Sequence, residues 1–320
     1  MDFLRFLMRR IILGVVVLWL VTVGTFYLFF VSPPDVARTL SGKGATPQQV
    51  AGTRHRLGLD QPLIVQYWHY LDNLLHGNLG TSYYSGTPVT TLIKGDLPPT
   101  LSLIVGGAVL WLIAGIGFGV LSATRARSLL DRTTTLGVLV GYSMPTFVLG
   151  GLLLFVLYYQ FSRAGIHLFQ PGYAPLTQGV GAWASHMVLP WITLATVQVA
   201  VYSRLTRGSL LDVLGEDYIR TARAKGLAER RVIYRHGLRA ALVPVTTQFG
   251  VDIATLISGA IVTETVFGLQ GVGQSLVRAV TQGDLFFILG VVIVTAAAVV
   301  LANLIVDVAY SFLDPRVRLT

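Results

Sequence analysis

The chain of 320 residues contains no cysteine, and charged residues make up only 12% of it. Without cysteine there is no disulfide, no zinc–thiolate site and no cysteine nucleophile. Charged residues are about 25% of an ordinary soluble domain, so this chain is too apolar to be one. It also lacks an HExxH-type metal motif, a nucleophile elbow and paired carboxylates in its apolar segments, so we expect neither catalytic residues nor a cofactor in this chain.

Long apolar runs dominate what is present. A helix needs about 20 apolar residues to cross a bilayer, and five segments reach or approach that length. A sixth, at 187–202, is shorter and spans only if it continues through 203–211. We therefore predict an all-α membrane protein with six transmembrane helices. The predicted spans are 11–31, 101–124, 133–159, 187–202, 243–267 and 285–312.

The net charge of +9 reflects membrane topology. If the first span begins in the cytoplasm, 17 of the 24 Lys and Arg residues lie on the cytoplasmic side. An excess of Lys and Arg is typical of the cytoplasmic segments of membrane proteins. We therefore expect both termini in the cytoplasm, a multi-pass protein of the plasma membrane, and no nucleic-acid partner. The basic residues before the first span resemble a signal peptide, but the span is too long for one and is expected to be retained.

The segment between the first two spans, 32–99, is expected to be helical. Thr46 to Gln49 reads as a capping box with proline at the first helical position. Asp60 is expected to cap a second helix that begins near Pro62. We expect the apolar face of that helix to pack on the membrane domain rather than lie in the lipid headgroups. The face consists of Leu63, Ile64, Tyr67, Trp68, Leu71, Leu74 and Leu75.

Proline and glycine predict details of the spans. Pro145 should kink the third span and leave the carbonyl near Gly141 without its partner. The spacings Gly115/Gly119 and Gly137/Gly141 favour close helix packing inside the chain over a dimer seam. Residues 267–280 contain a pattern like a phosphate-binding loop, but glutamine replaces its lysine and no strand precedes it. We predict a turn and a short helix there, not a nucleotide site.

A charged stretch between apolar segments, 212–244, is the most informative part of the chain. Residues 209–225 are expected to form one helix with a stripe through Leu214, Tyr218 and Ala222, ended by Gly226 in the left-handed conformation. A second short helix is expected from 228 to 236, with its charged residues exposed. Small residues here would allow a partner to approach closely. The alternative is a solvated basic loop with no partner, which would not need this helix–glycine–helix order.

The sequence DYIRTARAKGL at 217–227, followed by RHGLRAALVP at 235–244, resembles the coupling loop of ABC-importer permeases. More narrowly, it is similar to the first permease of dipeptide, oligopeptide and nickel importers. Ala222, Gly226 and Leu238 match the general pattern, whereas Arg220 and Thr221 replace its Glu and first Ala. Further departures follow the peptide-type variant: His236 stands at the Ile position, Arg239 replaces the Pro, and a proline comes only at Pro244.

Shorter stretches at 56–63, 77–82, 141–147 and 313–318 resemble the same subfamily in the same order. The resemblance implies the type I importer permease architecture in a bacterial inner membrane. It also implies a second homologous permease, two ATPase subunits that bind ATP and Mg, and an extracytoplasmic substrate-binding protein. Peptides are the implied cargo, with nickel or another small solute as the alternative. A stand-alone secondary transporter is a further alternative, but the sequence shows no convincing inverted repeat.

The resemblance also implies which residues meet the ATPase. The expected contact comprises Ala222, Arg223, Ala224, Lys225, Gly226, Leu227, Ala228, Glu229, Arg230, Arg231, Tyr234, Arg235 and His236. Polar residues at membrane depth rarely face lipid, so five of them are candidates for the cargo path, each with a helix–helix hydrogen bond or an interfacial position as the alternative. These are Gln198, Asp252, Glu264, Asn303 and Asp307.

The resulting domain prediction has three parts. Residues 1–96 hold the first span and the outer helices, 97–313 hold a five-helix core with the coupling loop at 207–240, and 314–320 form a cytoplasmic tail. Six histidines raise the question of nickel. His69 and His76 would lie two turns apart on one helix, too far to share a metal directly, and we expect the histidines to be surface or interfacial residues.

Overall fold

The computed structural model describes residues 2–31, 36–41 and 44–313. Within these residues the regular structure is helical, apart from one isolated bridge between Thr81 and Pro88. The predicted tail at 314–320 lies outside the described residues, as do 32–35 and 42–43 of the outer segment. The α-helices are α1 Asp2–Phe26, α2 Val36–Ser41, α3 Pro47–Arg56, α4 Leu63–Leu75, α5 Val89–Thr124, α6 Leu129–Ser143, α7 Thr146–Leu153, α8 Phe161–Arg163, α9 Val180–Leu214, α10 Asp217–Ala224, α11 Glu229–Arg231, α12 Leu238–Phe267, α13 Val272–Gln282 and α14 Leu285–Leu313.

Five helical segments of the described chain are long and apolar enough to cross a membrane: Leu4–Val31, Val89–Thr124, Thr146–Arg163, Val180–Leu214 and Leu285–Val308. The fourth predicted span does continue beyond 202, because α9 runs unbroken for 35 residues. The predicted span at 243–267 lies within α12, which is 30 residues long but is not among the five. The all-α fold is thus confirmed, and the count of six spans stays a prediction.

The third predicted span is interrupted rather than kinked. Helix α6 ends at Ser143, Met144 is extended with ψ 127°, and Pro145 precedes a new helix. A residue before proline avoids the helical conformation, which accounts for the break. The prediction of an unpartnered Gly141 carbonyl was wrong, because that oxygen accepts a hydrogen bond from the Met144 amide at 3.4 Å. Beyond α7, residues Leu154–Gln160 form a π-helix.

Contacts divide the chain into two compact units, each described on its own: residues 1–97 with 275–304, and 98–274 with 305–320. Each unit collects segments that pack against one another even where they are far apart in the sequence. The predicted division into domains stays a prediction. In the second unit the core is formed around Leu103, Trp111, Met187 and Tyr202, all of which have no exposed surface. Leu103 and Trp111 belong to α5 and Met187 and Tyr202 to α9, so this core packs the two helices together. The ring of Phe249 in α12 meets the Trp111 ring edge-on, with 5.9 Å between the ring centroids.

Glycine lets α5 and α9 approach closely. A Cβ added at Gly115 would lie 2.6 Å from Tyr202 Cβ, and one at Gly119 would lie 2.5 Å from Thr206 Cβ and 2.7 Å from the Ser203 carbonyl oxygen. Both clashes involve atoms at or near the backbone, so neither can be relieved by a rotamer change. The predicted packing inside the chain is confirmed for this pair.

Gly119→Val is therefore expected to destabilise the protein by about 1–3 kcal/mol, because overpacking at a helix crossing forces the backbones apart. Gly117→Val is the matched control, since a Cβ at Gly117 meets nothing within 4 Å. Size-exclusion profiles after heating in detergent measure the difference. Equal thermal stability of the two variants would contradict the role of Gly119.

In the first unit, α3 and α4 follow the membrane helix α1. The capping box is confirmed: Thr46 Oγ1 accepts from the Gln49 amide at 3.3 Å and Gln49 Oε1 accepts from the Thr46 amide at 2.9 Å. The prediction that Asp60 caps α4 was wrong, because Pro62 stands at the cap without a side-chain bond. Asp60 instead pairs with His55 Nδ1 at 2.9 Å, and this bond lowers the pKa of the Asp60 carboxyl.

The face that α4 packs on α1 differs from the predicted one. Tyr67 and Tyr70 make hydrogen bonds to Thr22 and Thr25 at 2.9 and 3.0 Å. Their rings also lie within 6 Å of Phe26. Most of the apolar side chains expected in this contact point away from it and are exposed: Leu63, Ile64, Trp68 and Leu75. Packing on α1 thus uses amphipathic tyrosines, which apolar periodicity alone does not distinguish from lipid-facing residues.

Candidate functional site

The charged stretch after α9 forms a helical hairpin, which we define as residues 217–237. Helix α9 ends at Leu214 with Gly215 as its C-cap, so the predicted single helix over 209–225 was wrong, and α10 begins at Asp217. Gly226 has φ 75°, which confirms the predicted left-handed turn. The second arm is not a separate helix either, because α11, a π-helix at Val232–Gly237 and α12 follow one another directly.

The hairpin has a small buried core of its own. Ile219 and Val232 have no exposed surface, Ala222 is 8% exposed, and Val213, Leu214 and Leu227 pack around them. The break at Gly215 changes the phase of the apolar stripe, so Ile219 is buried while Tyr218, which was predicted to continue the stripe, is exposed. Ala222 therefore faces the interior of the hairpin and not a partner.

An ion pair closes the turn of the hairpin. Arg223 donates from Nε and Nη2 to the two carboxylate oxygens of Glu229 at 3.1 and 2.7 Å, across Gly226. These bonds hold the pKa of the Glu229 carboxyl below its usual value and raise the pKa of Arg223. Both side chains are about half exposed, so the pair contributes little to stability but fixes the geometry of the turn.

The outer side of the hairpin is basic, and we call it the basic rim. Its members are exposed and come from the turn and the second arm: Arg223, Lys225, Arg230, Arg231, Tyr234 and Arg235. Ala224, Gly226 and Ala228 are exposed between them, while Leu227 and His236 are half-buried. Of the residues expected to meet a partner, all except Ala222 thus have surface available at the turn or the second arm.

The base of the hairpin is fixed to the long helices. Gly237 lies against Leu210 and Leu214, since a Cβ there would be 3.3 and 3.4 Å from their methyl carbons. Leu210 and Ala241 are fully buried in a cluster with Val120 and Ala123 of α5. Because this cluster joins α5, α9 and α12, a displacement of the hairpin displaces the ends of these three helices with it.

A buried carboxylate beside the hairpin base was not singled out from the sequence. Asp131 accepts hydrogen bonds from Arg207 Nε at 2.9 Å and Nη2 at 2.8 Å, from the Arg127 amide at 2.8 Å and from the Ser122 hydroxyl. The guanidinium of Arg207 and the other donors hold the pKa of the Asp131 carboxyl well below its usual range. This cluster ties α6 and the end of α5 to α9, and its only sequence signal is an acid within a basic loop.

The predicted polar residues at membrane depth fall into two groups. Asp252 is buried and accepts from Tyr202 Oη at 2.9 Å and from Gln248 Nε2 at 3.0 Å. Gln198 and Asn303 are half-buried. Asp307, also half-buried, takes part in an interaction of its own. Asp252 therefore takes part in a hydrogen bond between α9 and α12, which is the alternative to a cargo-path role that the sequence left open.

Glu264 lies in the last turn of α12 and has no exposed surface, and its carboxylate reaches the N-terminus of α13. Its carboxylate accepts from Thr100 Oγ1 at 2.6 Å and from the Gln274 amide at 2.9 Å, and Thr100 Oγ1 accepts from the Val272 amide at 2.9 Å. An acidic group at a helix N-terminus is favourable. The predicted turn and short helix at 267–280 are confirmed: α12 ends at Phe267, and its C-cap Gly268 is in the left-handed conformation.

Asp252 and Glu264 do not form one ionic site. Twelve residues of continuous helix separate them, which is about 18 Å along α12. Each accepts hydrogen bonds from its own neighbours, as described above. Two of the three histidines of the outer segment are engaged locally: His55 pairs with Asp60, and His76 Nδ1 lies 3.4 Å from an Asp72 oxygen.

Comparison with known proteins finds relatives along almost the whole chain. Residues 115–319 match the family described as binding-protein-dependent transport system inner membrane component, and residues 3–104 match the N-terminal part described for the membrane component of such systems.

Three relatives illustrate the similarity. The chain is 39% identical over 313 residues to the probable peptide ABC transporter permease protein y4tP of Sinorhizobium fredii, covering 98% of this chain and 99% of the relative. It is 37% identical over 335 residues to the dipeptide transport system permease protein DppB of Escherichia coli strain K12, with the same coverage. It is 38% identical over 315 residues to the glutathione transport system permease protein GsiC of Escherichia coli O6:H1, again with 98% and 99% covered. The chain therefore belongs to the family of multi-pass inner-membrane components of binding-protein-dependent transport systems.

Proposed function

We propose that the chain is the permease subunit of an ATP-driven importer and forms the path for di- and oligopeptides. The three relatives described above are named for peptide, dipeptide and glutathione transport, and glutathione is itself a small peptide. None of these three relatives is named for nickel, the alternative cargo considered from the sequence. The partners of this machine are a second homologous permease, two ATPase subunits that bind ATP and Mg, and an extracytoplasmic binding protein.

The hairpin is the contact with the ATPase in this proposal. The single observation that carries it is the combination of an internally packed hairpin with a base fixed to α5, α9 and α12. A loop with these properties moves as a rigid body, which is what transmission of an ATP-dependent displacement requires. A merely solvated basic loop would not need a buried core. The contact surface is the basic rim with Ala224, Gly226, Leu227, Ala228, Glu229 and His236.

The orientation follows from the same contact. If the hairpin meets a cytoplasmic ATPase, the Arg-rich start of α1 and the loop around Arg127 lie on the same side under the bias of basic residues. Both termini are then cytoplasmic. A stand-alone secondary transporter, the other class considered, leaves the packed hairpin without a role.

Within the membrane we assign Asp252 and Glu264 to helix packing and keep Gln198 and Asn303 as candidates for the cargo path. The two carboxylates are buried and accept hydrogen bonds inside the fold. Gln198 and Asn303 are half-buried polar side chains on apolar helices, so they have surface left for a cargo or a partner permease.

The absence of cysteine makes a direct test of the ATPase contact possible. A single cysteine in place of Ala228, labelled with a photoreactive maleimide in native membranes, is expected to cross-link an ATPase subunit identifiable by mass spectrometry. Ala126→Cys is the matched control, because it is also an exposed alanine and lies on the same predicted side of the membrane. We expect at least fivefold less ATPase adduct from position 126.

Two outcomes would contradict the proposal. One is the absence of an ATPase adduct at position 228 while ATPase subunits co-purify with the labelled chain. The other is a chain that purifies alone and catalyses uptake driven by an ion gradient.

A further inference from the structure

Helix α4 of the outer segment has an apolar side that the rest of the described chain leaves mostly exposed, with only Leu71 half-buried. Ile64, Trp68, Leu71 and Leu75 follow one another at spacings of four, three and four residues and so form one stripe, which we call the α4 ridge. Ile64 is 69% exposed, Trp68 62% and Leu75 78%. A ridge of this kind on a helix with a polar opposite side indicates a surface that is covered in the working protein.

The depth of α4 along α1 is fixed by two hydrogen bonds. Tyr67 and Tyr70 bind the hydroxyls of Thr22 and Thr25, both of which are buried. Arg5, Arg9 and Arg10 mark one membrane boundary of α1, because charged residues stay out of the hydrocarbon. The hydrocarbon is about 30 Å thick, or about 20 residues of helix, which brings its far boundary to about Phe30.

Thr22 and Thr25 therefore lie inside that boundary. Thr25 is 15 residues beyond Arg10, or about 22 Å along the helix, and thus about 8 Å short of the far side of the hydrocarbon. The α4 contact with Thr25 therefore lies about 8 Å below the boundary between acyl chains and headgroups, within the depth of about 5–10 Å to which an interfacial helix buries its apolar face. Apolar side chains of α1 and of the π-helix that follows it, Tyr27–Val31, are exposed near this level: Trp19, Leu20, Val23, Tyr27 and Leu28.

The two sides of α4 match these surroundings. On a helix, the α4 ridge adjoins the face with Tyr67 and Tyr70 that packs on α1, so the apolar surface of α1 continues onto it. The other side carries Asp72 and His76, whose side chains are 72% and 77% exposed. An amphipathic helix in the membrane interface buries its apolar face about 5–10 Å deep and keeps its polar face in water.

We propose that α4 is an interfacial helix whose ridge of Ile64, Trp68, Leu71 and Leu75 inserts into the lipid leaflet at the end of α1 remote from Arg10. Lipid is the occupant that the depth of the Thr22 and Thr25 contacts selects. A water-soluble partner on the same ridge would have to reach below the headgroups, and cover by a neighbouring membrane subunit is an outcome that the test below separates from lipid. In this position α4 anchors the outer segment to the bilayer, and it does so independently of which cargo the protein carries.

Site-directed spin labelling tests the proposal, since any introduced cysteine is the only one in the chain. Ile64→Cys and Leu75→Cys report on the ridge, and His69→Cys and Asp72→Cys are matched controls on the exposed polar side of the same helix. The full chain, with the subunits that co-purify, is labelled and reconstituted in phosphatidylethanolamine–phosphatidylglycerol vesicles. Collisions of each label with oxygen, which concentrates in lipid, and with a water-soluble nickel chelate are then measured.

We expect the ratio of oxygen to nickel collisions to be at least threefold higher at positions 64 and 75 than at 69 and 72. Two results would overturn the proposal. Labels on the ridge that meet the nickel chelate as often as the controls would place it in water. Labels that meet neither reagent would show that a protein surface covers it instead. Two ridge positions are used so that a local disturbance at one of them does not decide the outcome.

Discussion

Gly226→Pro is expected to reduce peptide uptake by more than tenfold in complexes that still assemble and hydrolyse ATP. Gly226 has φ 75°, whereas proline is restricted to about −65°, so the turn of the hairpin cannot form with proline. Proline also removes the amide that donates to the Arg223 carbonyl at 2.9 Å. The turn that places Arg223 opposite Glu229 is then lost, and with it the rigid shape of the contact surface.

A graded series at this position makes the test specific. Asparagine tolerates the left-handed conformation better than alanine does, so we expect uptake to fall in the order Gly, Asn, Ala, Pro. Gly208→Ala in α9 is the control, since a Cβ there meets nothing within 4 Å. Uptake of a radiolabelled dipeptide and ATP hydrolysis are measured on the same vesicles. Full uptake by an assembled Gly226→Pro complex would contradict the coupling role of the hairpin.

Asp131→Asn is expected to destabilise the protein by about 2–3 kcal/mol. Removing one partner of a buried ion pair leaves the other charge uncompensated, which costs about 3–5 kcal/mol when both are fully buried. The Arg207 side chain is 33% exposed, so water partly solvates it and the expected loss is smaller. For a protein of 320 residues the change corresponds to a fall of about 3–5 °C in apparent melting temperature.

The exposed pair Asp217–Arg220 supplies the control for this prediction. Its partners are 3.3 Å apart and largely in water, so Asp217→Asn should change stability by less than about 0.5 kcal/mol. The double variant Asp131→Asn with Arg207→Gln should recover part of the loss, because no unpaired charge remains. Thermal unfolding in detergent measures all three variants. A loss at Asp131 no larger than at Asp217 would contradict the assigned network.

The stability that the Asp131–Arg207 ion pair contributes should also be present over the ordinary range of pH. Because the folded pKa of Asp131 is depressed, its contribution is present above the unfolded value of about 3.9. It is lost only as the pH falls through the folded pKa.

Local features of the sequence predicted the structure well where a few neighbouring residues decide the conformation. The capping box at Thr46 and the left-handed turn at Gly226 each depend on side chains or φ angles within about four residues. The lengths of the apolar runs predicted the long helices for the same reason, because a run is read from consecutive residues. Pro145 was a correct signal of irregularity, although its effect on Met144 breaks the helix completely.

Features that depend on distant residues could not be obtained in this way. Asp131 and Arg207 are 76 positions apart, and nothing in the neighbourhood of either names the other. The apolar stripe of the hairpin changes phase at Gly215, so extending the period of α9 placed Tyr218 on the stripe, whereas Ile219 is the buried residue. On α4, the hydroxyls of Tyr67 and Tyr70 select the packed face, and the apolar periodicity included Tyr67 in the predicted face but not Tyr70.

The network around Asp131 also bears on how the chain is made. Synthesis proceeds at about 5–20 residues per second, so Arg207 follows Asp131 by roughly 4–15 s. During that interval the carboxylate must be accommodated by groups that already exist. The Arg127 amide and the Ser122 hydroxyl, four and nine residues upstream, are such groups. The turn between α5 and α6 can therefore keep the charged Asp131 carboxylate hydrogen-bonded at the membrane surface before α9 is made. When α9 follows, Arg207 completes the network.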